Sequence, residues 1–167
     1  MKTAISLLLL IFLASCSQNP RPAQASPYVD SLALEVKHIS ETYRPGLGEI
    51  MSGIQLHHAK LWFAGTNSNW KLAQYEIDEI KERLQQATDI ETDRPEVKTI
   101  GMINPAVDSV AASIQDKNLP GFKKDFELMT ATCNNCHVAN KFEFNVITIP
   151  NSPPVSNQDF KPKALAK

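Results

Sequence analysis

The sequence predicts an all-α protein, an antiparallel four-helix bundle with one extra N-terminal helix and an extended C-terminal tail. Apolar residues recur three and four positions apart from Tyr28 nearly to Phe142, which is the spacing of one face of an α-helix. Four long stretches of this kind are joined by short connections, and short connections favour antiparallel neighbours. Neither internal repeats nor a Gly-rich phosphate loop interrupts the pattern.

Five helices are predicted, each bounded by residues that cap or break a helix. The extra helix covers residues 28–43 and is stopped by Pro45. The first bundle helix is expected over residues 47–64. The second is expected to begin after a cap at Asn67 or Ser68 and to extend to Ala87. The third is expected over residues 100–114, and the fourth over 122–142 after a turn at 119–121. The pair Asn104-Pro105 is typical of a helix start, so the stretch 100–114 is expected in one or two pieces.

The composition is that of one globular domain with short tails. The 167 residues are 43% hydrophobic and 21% charged, which is too apolar for a disordered chain. A net charge of −1 gives no general attraction to nucleic acid, so we expect no nucleic-acid partner. The three cysteines are too few for a disulfide scaffold, and each needs its own explanation.

A short basic start, an apolar run at residues 4–13 and small residues before Cys16 form the pattern of an export signal. Residues 13–16 resemble the bacterial lipoprotein signal; the alternative is a plain signal with a cysteine nearby by chance. The resemblance implies that residues 1–15 are removed and that Cys16 is lipidated. Because residue 17 is Ser and not Asp, it also implies sorting to the outer membrane. The resemblance does not give the side of that membrane on which the domain lies, and we expect the periplasmic side.

The rest of the chain divides by composition. Residues 16–27 are polar and contain proline, which favours a flexible tether. Residues 28–142 carry the helices and are expected to bind the cofactor. Residues 143–167 are expected to form an extended tail, either lying along the bundle or serving as a docking arm for a redox partner.

Cys133, Cys136 and His137 form a C-x-x-C-H motif, the attachment pattern of c-type haem. Two thiols three positions apart can add to the two vinyl groups of one porphyrin, and His137 can then bind the iron as proximal ligand. The alternatives are a zinc half-site, a redox dithiol and a disulfide. Zinc usually takes a second ligand pair, and a thioredoxin-like dithiol sits in a βαβ pattern that this sequence lacks. The motif therefore predicts one covalent haem c.

A C-x-x-C-H motif near the end of the last helix of a helical bundle resembles the cytochrome c-prime group of class II c-type cytochromes. The resemblance covers residues 47–142. It implies a basic residue beside the proximal histidine, at Lys141, a residue against the distal haem face, at Met51, and pairing of two copies through their first helices. The chain departs from the family in its helix at 28–43, in its tail and in the block at 57–63.

The residue on the other side of the iron decides the expected function. In an up-down-up-down bundle the end of the last helix lies beside the start of the first, which brings Met51 near the haem. His57 and His58 lie about 9–10 Å further along the helix at 1.5 Å per residue, which argues against ligation by either. Met102 lies off the apolar stripe of its helix. Met51 is therefore either a distal iron ligand or a core methionine.

With Met51 as ligand, the protein is expected to carry electrons, because a thioether opposite an imidazole stabilises ferrous iron. Without it, the iron is five-coordinate and can bind a diatomic gas such as NO or CO. The sequence shows no nucleophile–base pair, so no catalytic residues are expected and the protein is not expected to be an enzyme. The expected partners are periplasmic redox proteins, the membrane and, by the family resemblance, a second copy of the chain.

Overall fold

The computed structural model describes residues 26–163, and in this range the protein is all-helical, as the sequence predicts. Its helices are α1 (Pro27–Thr42), α2 (Leu47–Thr66), α3 (Trp70–Ile90), α4 (Val97–Ile100), α5 (Asn104–Gln115) and α6 (Leu119–Ala139), and a 3₁₀ turn at Gly101–Ile103 joins α4 to α5. The predicted signal, the lipidation site Cys16 and nearly all of the predicted tether lie outside the described residues. Among the described helices, none combines the length and apolar character needed to cross a bilayer.

The described residues divide into two units, with the boundary between Tyr43 and Arg44. The described part of the first unit is α1, which begins with Pro27 at a position where a missing N–H costs nothing. None of the α1 residues is buried, and Leu32, Val36 and Ile39 all stay about half exposed or more. The predicted helix is present.

Several predicted boundaries are wrong by a few residues: α2 ends at Thr66, α3 at Ile90 and α6 at Ala139. The cap of α3 is Asn69, whose side chain accepts a hydrogen bond from the Leu72 amide at 3.4 Å; Asn67 instead donates to the Phe63 carbonyl and closes α2. The expected turn at 119–121 is the first turn of α6, because Asn118 caps that helix by accepting from the Gly121 amide at 3.1 Å. Of the two alternatives for the stretch 100–114, the structure shows the divided one, since α5 begins at Asn104.

The main apolar core of the second unit is formed by residues of α2, α3, α5 and α6. α2 packs mainly on α3, α5 mainly on α6, and α3 also contacts α5. The largest core side chains that are fully buried include Leu61, Ile77, Val110, Phe122 and Phe126. α2 and α6 approach closely at Gly65, where an added Cβ would lie 2.1 Å from the Phe122 ring. Glycine is required there because the helices leave no room for a methyl group.

An aromatic cluster fills one end of this unit. Trp62 lies 4.9 Å from Phe126 between ring centroids, and Trp70 meets Phe122 edge to face at 6.2 Å. Phe63, next to Trp62 in α2, packs against the same core. The structure adds Phe160 from the tail, which is 6% exposed and lies 5.7 Å from the Phe63 ring. We call this the aromatic end; it shows that the described tail lies along the helices.

Candidate functional site

A cleft of about 260 Å³ opens at the other end of the second unit, near the end of α6. Its volume is close to the lower end of the range for small-molecule sites. The wall is largely apolar and is contributed by several helices: Leu47, Met51, Ile54, Ile80, Leu84, Ile100, Ile103, Val107 and Met129. We call this the cleft end. Residues at the start of α2, in the second half of α3 and between Glu96 and Ile103 all contribute to it.

All three motif residues, Cys133, Cys136 and His137, line this cleft together with Met51. Both cysteines are free and partly buried. Loss of water around the Cys133 sulfur, with a smaller contribution from Cys136, raises the pKa of the Cys133 thiol to about 11. The thiol is therefore protonated at neutral pH.

Hydrogen bonds from α4 fasten the motif. The Asn140 side chain donates to the Thr99 hydroxyl and to the Cys136 carbonyl, each at 2.7 Å. The Thr99 hydroxyl in turn donates to the Glu96 carbonyl at 2.7 Å and lies 3.5 Å from the Cys136 sulfur. This short helix therefore holds the last turn of α6 through polar contacts, and the sulfur of Cys136 is fixed at the cleft wall.

The imidazole of His137 has one nitrogen engaged. Its Nδ1–H donates to the backbone carbonyl of Asn145 at 2.6 Å. Because a neutral imidazole carries one proton, this hydrogen bond leaves Nε2 as the free lone pair, the tautomer that a metal ligand needs. His137 is partly exposed, so the ring is held by this contact more than by packing.

Met51 and Met102, the two methionines considered for the distal side of the iron, have different surroundings. Met51 is half-buried, lines the cleft and packs against the apolar cluster of Ile50, Ala87 and Ile100. Met102 is 47% exposed and is not among the residues that line the cleft. Met51 is therefore the methionine of α2 that shares the cleft with the motif, as the sequence argument places it.

His57 and His58 are both buried, and each has a partner of its own. Nδ1 of His57 lies 2.7 Å from a carboxylate oxygen of Glu76, which is fully buried. His58 lines the cleft, and its Nε2–H donates to the Thr130 hydroxyl at 2.8 Å, since that hydroxyl already donates to the Phe126 carbonyl. Burial lowers the pKa of His58 to about 4, so the imidazole is neutral at physiological pH. The pair is a core feature, one of the interpretations that the sequence allows.

Two charged residues at the cleft are missed by sequence reasoning. Arg94 and Glu96 line it, and their charged groups lie 3.5 Å apart. Among the described residues, the second carboxylate oxygen of Glu96 is buried and has no hydrogen-bond partner. Both residues fall in the irregular connection between α3 and α4, where no periodic pattern indicates which way a side chain points. Lys141, which the family resemblance places beside the histidine, is exposed and is not among the lining residues.

Contacts from the segment after α6 are also missed. The Asn134 side chain donates to the Ile147 carbonyl at 2.9 Å and accepts from the Ile147 amide at 2.8 Å. Asn134 occupies a variable position of the motif, so nothing in the spacing marks it. The apolar residues between Phe142 and Ile149 indicate that this segment packs against another part of the protein. They do not indicate which part.

The residues present fit a covalently attached haem. Two thiols three positions apart and an imidazole with a free Nε2 share one apolar cleft, which is the donor set for two thioether links and one axial ligand. Within residues 26–163, no three His, Cys, Asp or Glu side chains cluster as they do around a metal ion held by protein side chains alone. Haem needs no such cluster, because the porphyrin supplies four ligands.

Comparisons with known proteins return no match: no family model matches the chain, and no curated protein sequence or solved structure is significantly similar to it. A function for this chain is therefore inferred from its motif and its site geometry.

Proposed function

We propose that this protein is an exported monohaem c-type cytochrome that carries electrons. One haem c would be bound through thioethers at Cys133 and Cys136, with His137 as the proximal iron ligand. The observation that carries the proposal is that the three motif residues line one apolar cleft while His137 Nδ1 donates to a carbonyl and leaves Nε2 free. The haem would supply a one-electron couple between ferric and ferrous iron.

The role of the protein would be to fix the position of the haem and to exclude water from it. The apolar wall from α2, α3 and α5 lowers the local dielectric and disfavours a net positive charge at the site, which favours the ferrous state. Met51, which lines the same cleft, would supply the sixth ligand. Two fixed axial ligands require little rearrangement when the oxidation state changes, so electron transfer is the function that this arrangement serves. No residue is assigned a catalytic role.

A second candidate function is the binding of a diatomic gas, NO or CO, at a five-coordinate iron. The packing of Met51 against Ile50, Ala87 and Ile100 favours it, because a methionine held by packing need not bind iron. The apolar wall would then admit a small neutral ligand and exclude charged ones. The two candidates differ in one bond, between Met51 and the iron.

The finer architecture that accompanies this proposal is an antiparallel four-helix bundle like that of cytochrome c-prime. The contacts of α2 with α3 and of α5 with α6, each pair joined by a short connection, support it. The proposed location is the periplasmic side of a bacterial membrane, more specifically the outer membrane, with a lipid anchor at Cys16 supported by the sequence of residues 13–16. The proposed partners are periplasmic redox proteins and a second copy of the chain.

Optical spectra of the purified protein, matured in a cell that attaches haem, test the proposal. Covalent haem with a low-spin spectrum that carbon monoxide does not change supports the electron carrier. A high-spin spectrum that shifts with carbon monoxide supports gas binding instead. Protein without haem bands overturns both.

A pair of methionine variants assigns the sixth ligand. Met51→Leu keeps the volume of the side chain and removes the thioether, so it should convert a low-spin spectrum to high spin while the haem stays attached. Met102→Leu makes the same change at an exposed site outside the cleft and should leave the spectrum unaltered. An unchanged spectrum in Met51→Leu rules this residue out as the ligand.

A further inference from the structure

The chain reverses direction directly after α6 and returns over the motif. Lys141 has a left-handed backbone with φ of 65°, and the Phe142 amide donates to the His137 carbonyl at 2.8 Å. The Asn145 amide then donates to the Phe142 carbonyl at 2.9 Å. These turns bring residues 141–147, which we call the return segment, back along the last turns of α6.

Two contacts fix the return segment to the motif. The Asn145 carbonyl accepts the hydrogen bond from Nδ1 of His137 at 2.6 Å. Two residues further on, both backbone polar groups of Ile147 are paired with the side-chain amide of Asn134, at 2.8 and 2.9 Å. A side-chain amide that satisfies the N–H and the C=O of one residue holds that residue in position much as a neighbouring β-strand does.

Asn135 provides the contrast. It is the other variable residue of the motif, it is exposed, and no hydrogen bond of its side chain is seen in the described part of the chain. Two asparagines in adjacent positions thus have different surroundings, and the difference is the pairing of Asn134 with the return segment.

We propose that Asn134 is a positioning residue: by holding Ile147 it keeps the Asn145 carbonyl on Nδ1 of His137 and thereby lowers the reduction potential of the haem. This inference rests on the proposed function. An imidazole that donates its Nδ1–H becomes a more basic ligand through Nε2, and a more basic ligand stabilises ferric iron more than ferrous iron. The return segment lines the cleft with Phe142, Asn145 and Ile147, and it would therefore tune the iron through its proximal ligand.

Asn134→Ala tests the proposal, with Asn135→Ala as the matched control. Haem attachment is read from the spectrum of the denatured protein, and the reduction potential from a spectroelectrochemical titration. Hydrogen exchange of the His137 Nδ1–H is followed by NMR in the diamagnetic ferrous protein, with carbon monoxide added if the iron is open. We expect Asn134→Ala to keep its haem, raise the potential and exchange this proton faster. Asn135→Ala should match the wild type in all three.

A second variant disrupts the contact between Asn134 and Ile147 by changing Ile147. Ile147→Pro removes the amide that donates to Asn134 and leaves the motif untouched. It should shift the potential in the same direction as Asn134→Ala. A shift in Asn134→Ala without one in Ile147→Pro, or equal potentials in all the variants, overturns this inference and leaves the proposed function intact. Wild-type protein without covalent haem overturns the proposed function and this inference with it.

Discussion

The two ends of the second unit are stabilised in different ways. At the aromatic end, Phe122 and Phe126 are fully buried and the helices approach so closely that Gly65 is required. At the cleft end, the helices leave about 260 Å³ between them, and polar contacts such as that of Thr99 with Asn140 hold the elements together. One end gains its stability from packing, and the other has the space and the fastened side chains that a bound group would use.

The largest effect is expected from Phe122→Ala. This side chain is fully buried and contacts the rings of Trp62, Trp70 and Phe126, so its truncation should lower the free energy of unfolding by about 3 to 5 kcal/mol. Phe144→Ala is the control, because Phe144 is 78% exposed and should change stability by less than about 0.5 kcal/mol. Denaturant unfolding measures both. Similar losses in the two variants would contradict a packed aromatic end.

His58 lies between the two ends, and its burial predicts a dependence on pH. Its pKa is about 4 in the folded protein against 6.5 unfolded. As pH falls from 6.5 to 4, the unfolded chain takes up a proton that the folded protein does not, so stability decreases. At about 1.4 kcal/mol per pKa unit, the total is roughly 3 kcal/mol. Above pH 6.5 the imidazole is neutral in both states and contributes no slope.

His58→Gln isolates this contribution, because glutamine does not titrate. The stability difference between wild type and His58→Gln, measured by denaturant unfolding, should shrink by roughly 3 kcal/mol between pH 7 and pH 4. His38→Gln removes an exposed imidazole on α1 and should leave the profile of the wild type unchanged. A constant difference between wild type and His58→Gln across this range would show that His58 does not carry the effect.

Much of the difference between the aromatic end and the cleft end is predictable from the sequence. The features that the sequence does not predict share a physical cause. The apolar spacing of α2, α3, α5 and α6 predicts the helices, and the motif with the order of the helices places Met51 near Cys133. What the sequence does not reveal are the contacts of irregular segments. The carbonyl of Asn145 and the side chain of Glu96 reach the cleft through backbone turns, and no periodicity encodes the direction of a turn. The burial of Phe160 was missed for the same reason.

The same substitution at the two ends of α2 should have opposite effects. Gly65→Ala places a Cβ 2.1 Å from the Phe122 ring, and relieving such overpacking costs about 1 to 3 kcal/mol. Gly48→Ala meets no atom within 4 Å and should be neutral or slightly stabilising, since alanine favours helix over glycine by up to about 1 kcal/mol. Thermal unfolding compares them. Equal melting temperatures would show that the close approach at Gly65 relaxes without cost.

The smallest effect is expected at the cleft end, from Thr99→Val. Valine keeps the shape of the side chain but removes the hydroxyl that donates to the Glu96 carbonyl and accepts from Asn140. The Asn140 amide still donates to the Cys136 carbonyl, so the loss should be about 1 kcal/mol, the net value of a hydrogen bond.

Thr132→Val is the control, because that exposed hydroxyl donates to the Leu128 carbonyl within its own helix. Its replacement should cost less than about 0.5 kcal/mol. Denaturant unfolding of both variants decides whether α4 is fastened by this hydroxyl. A loss for Thr99→Val as large as that for Phe122→Ala would mean that the cleft end depends on this one polar contact as strongly as the aromatic end depends on packing, and the expected order of the effects would fail.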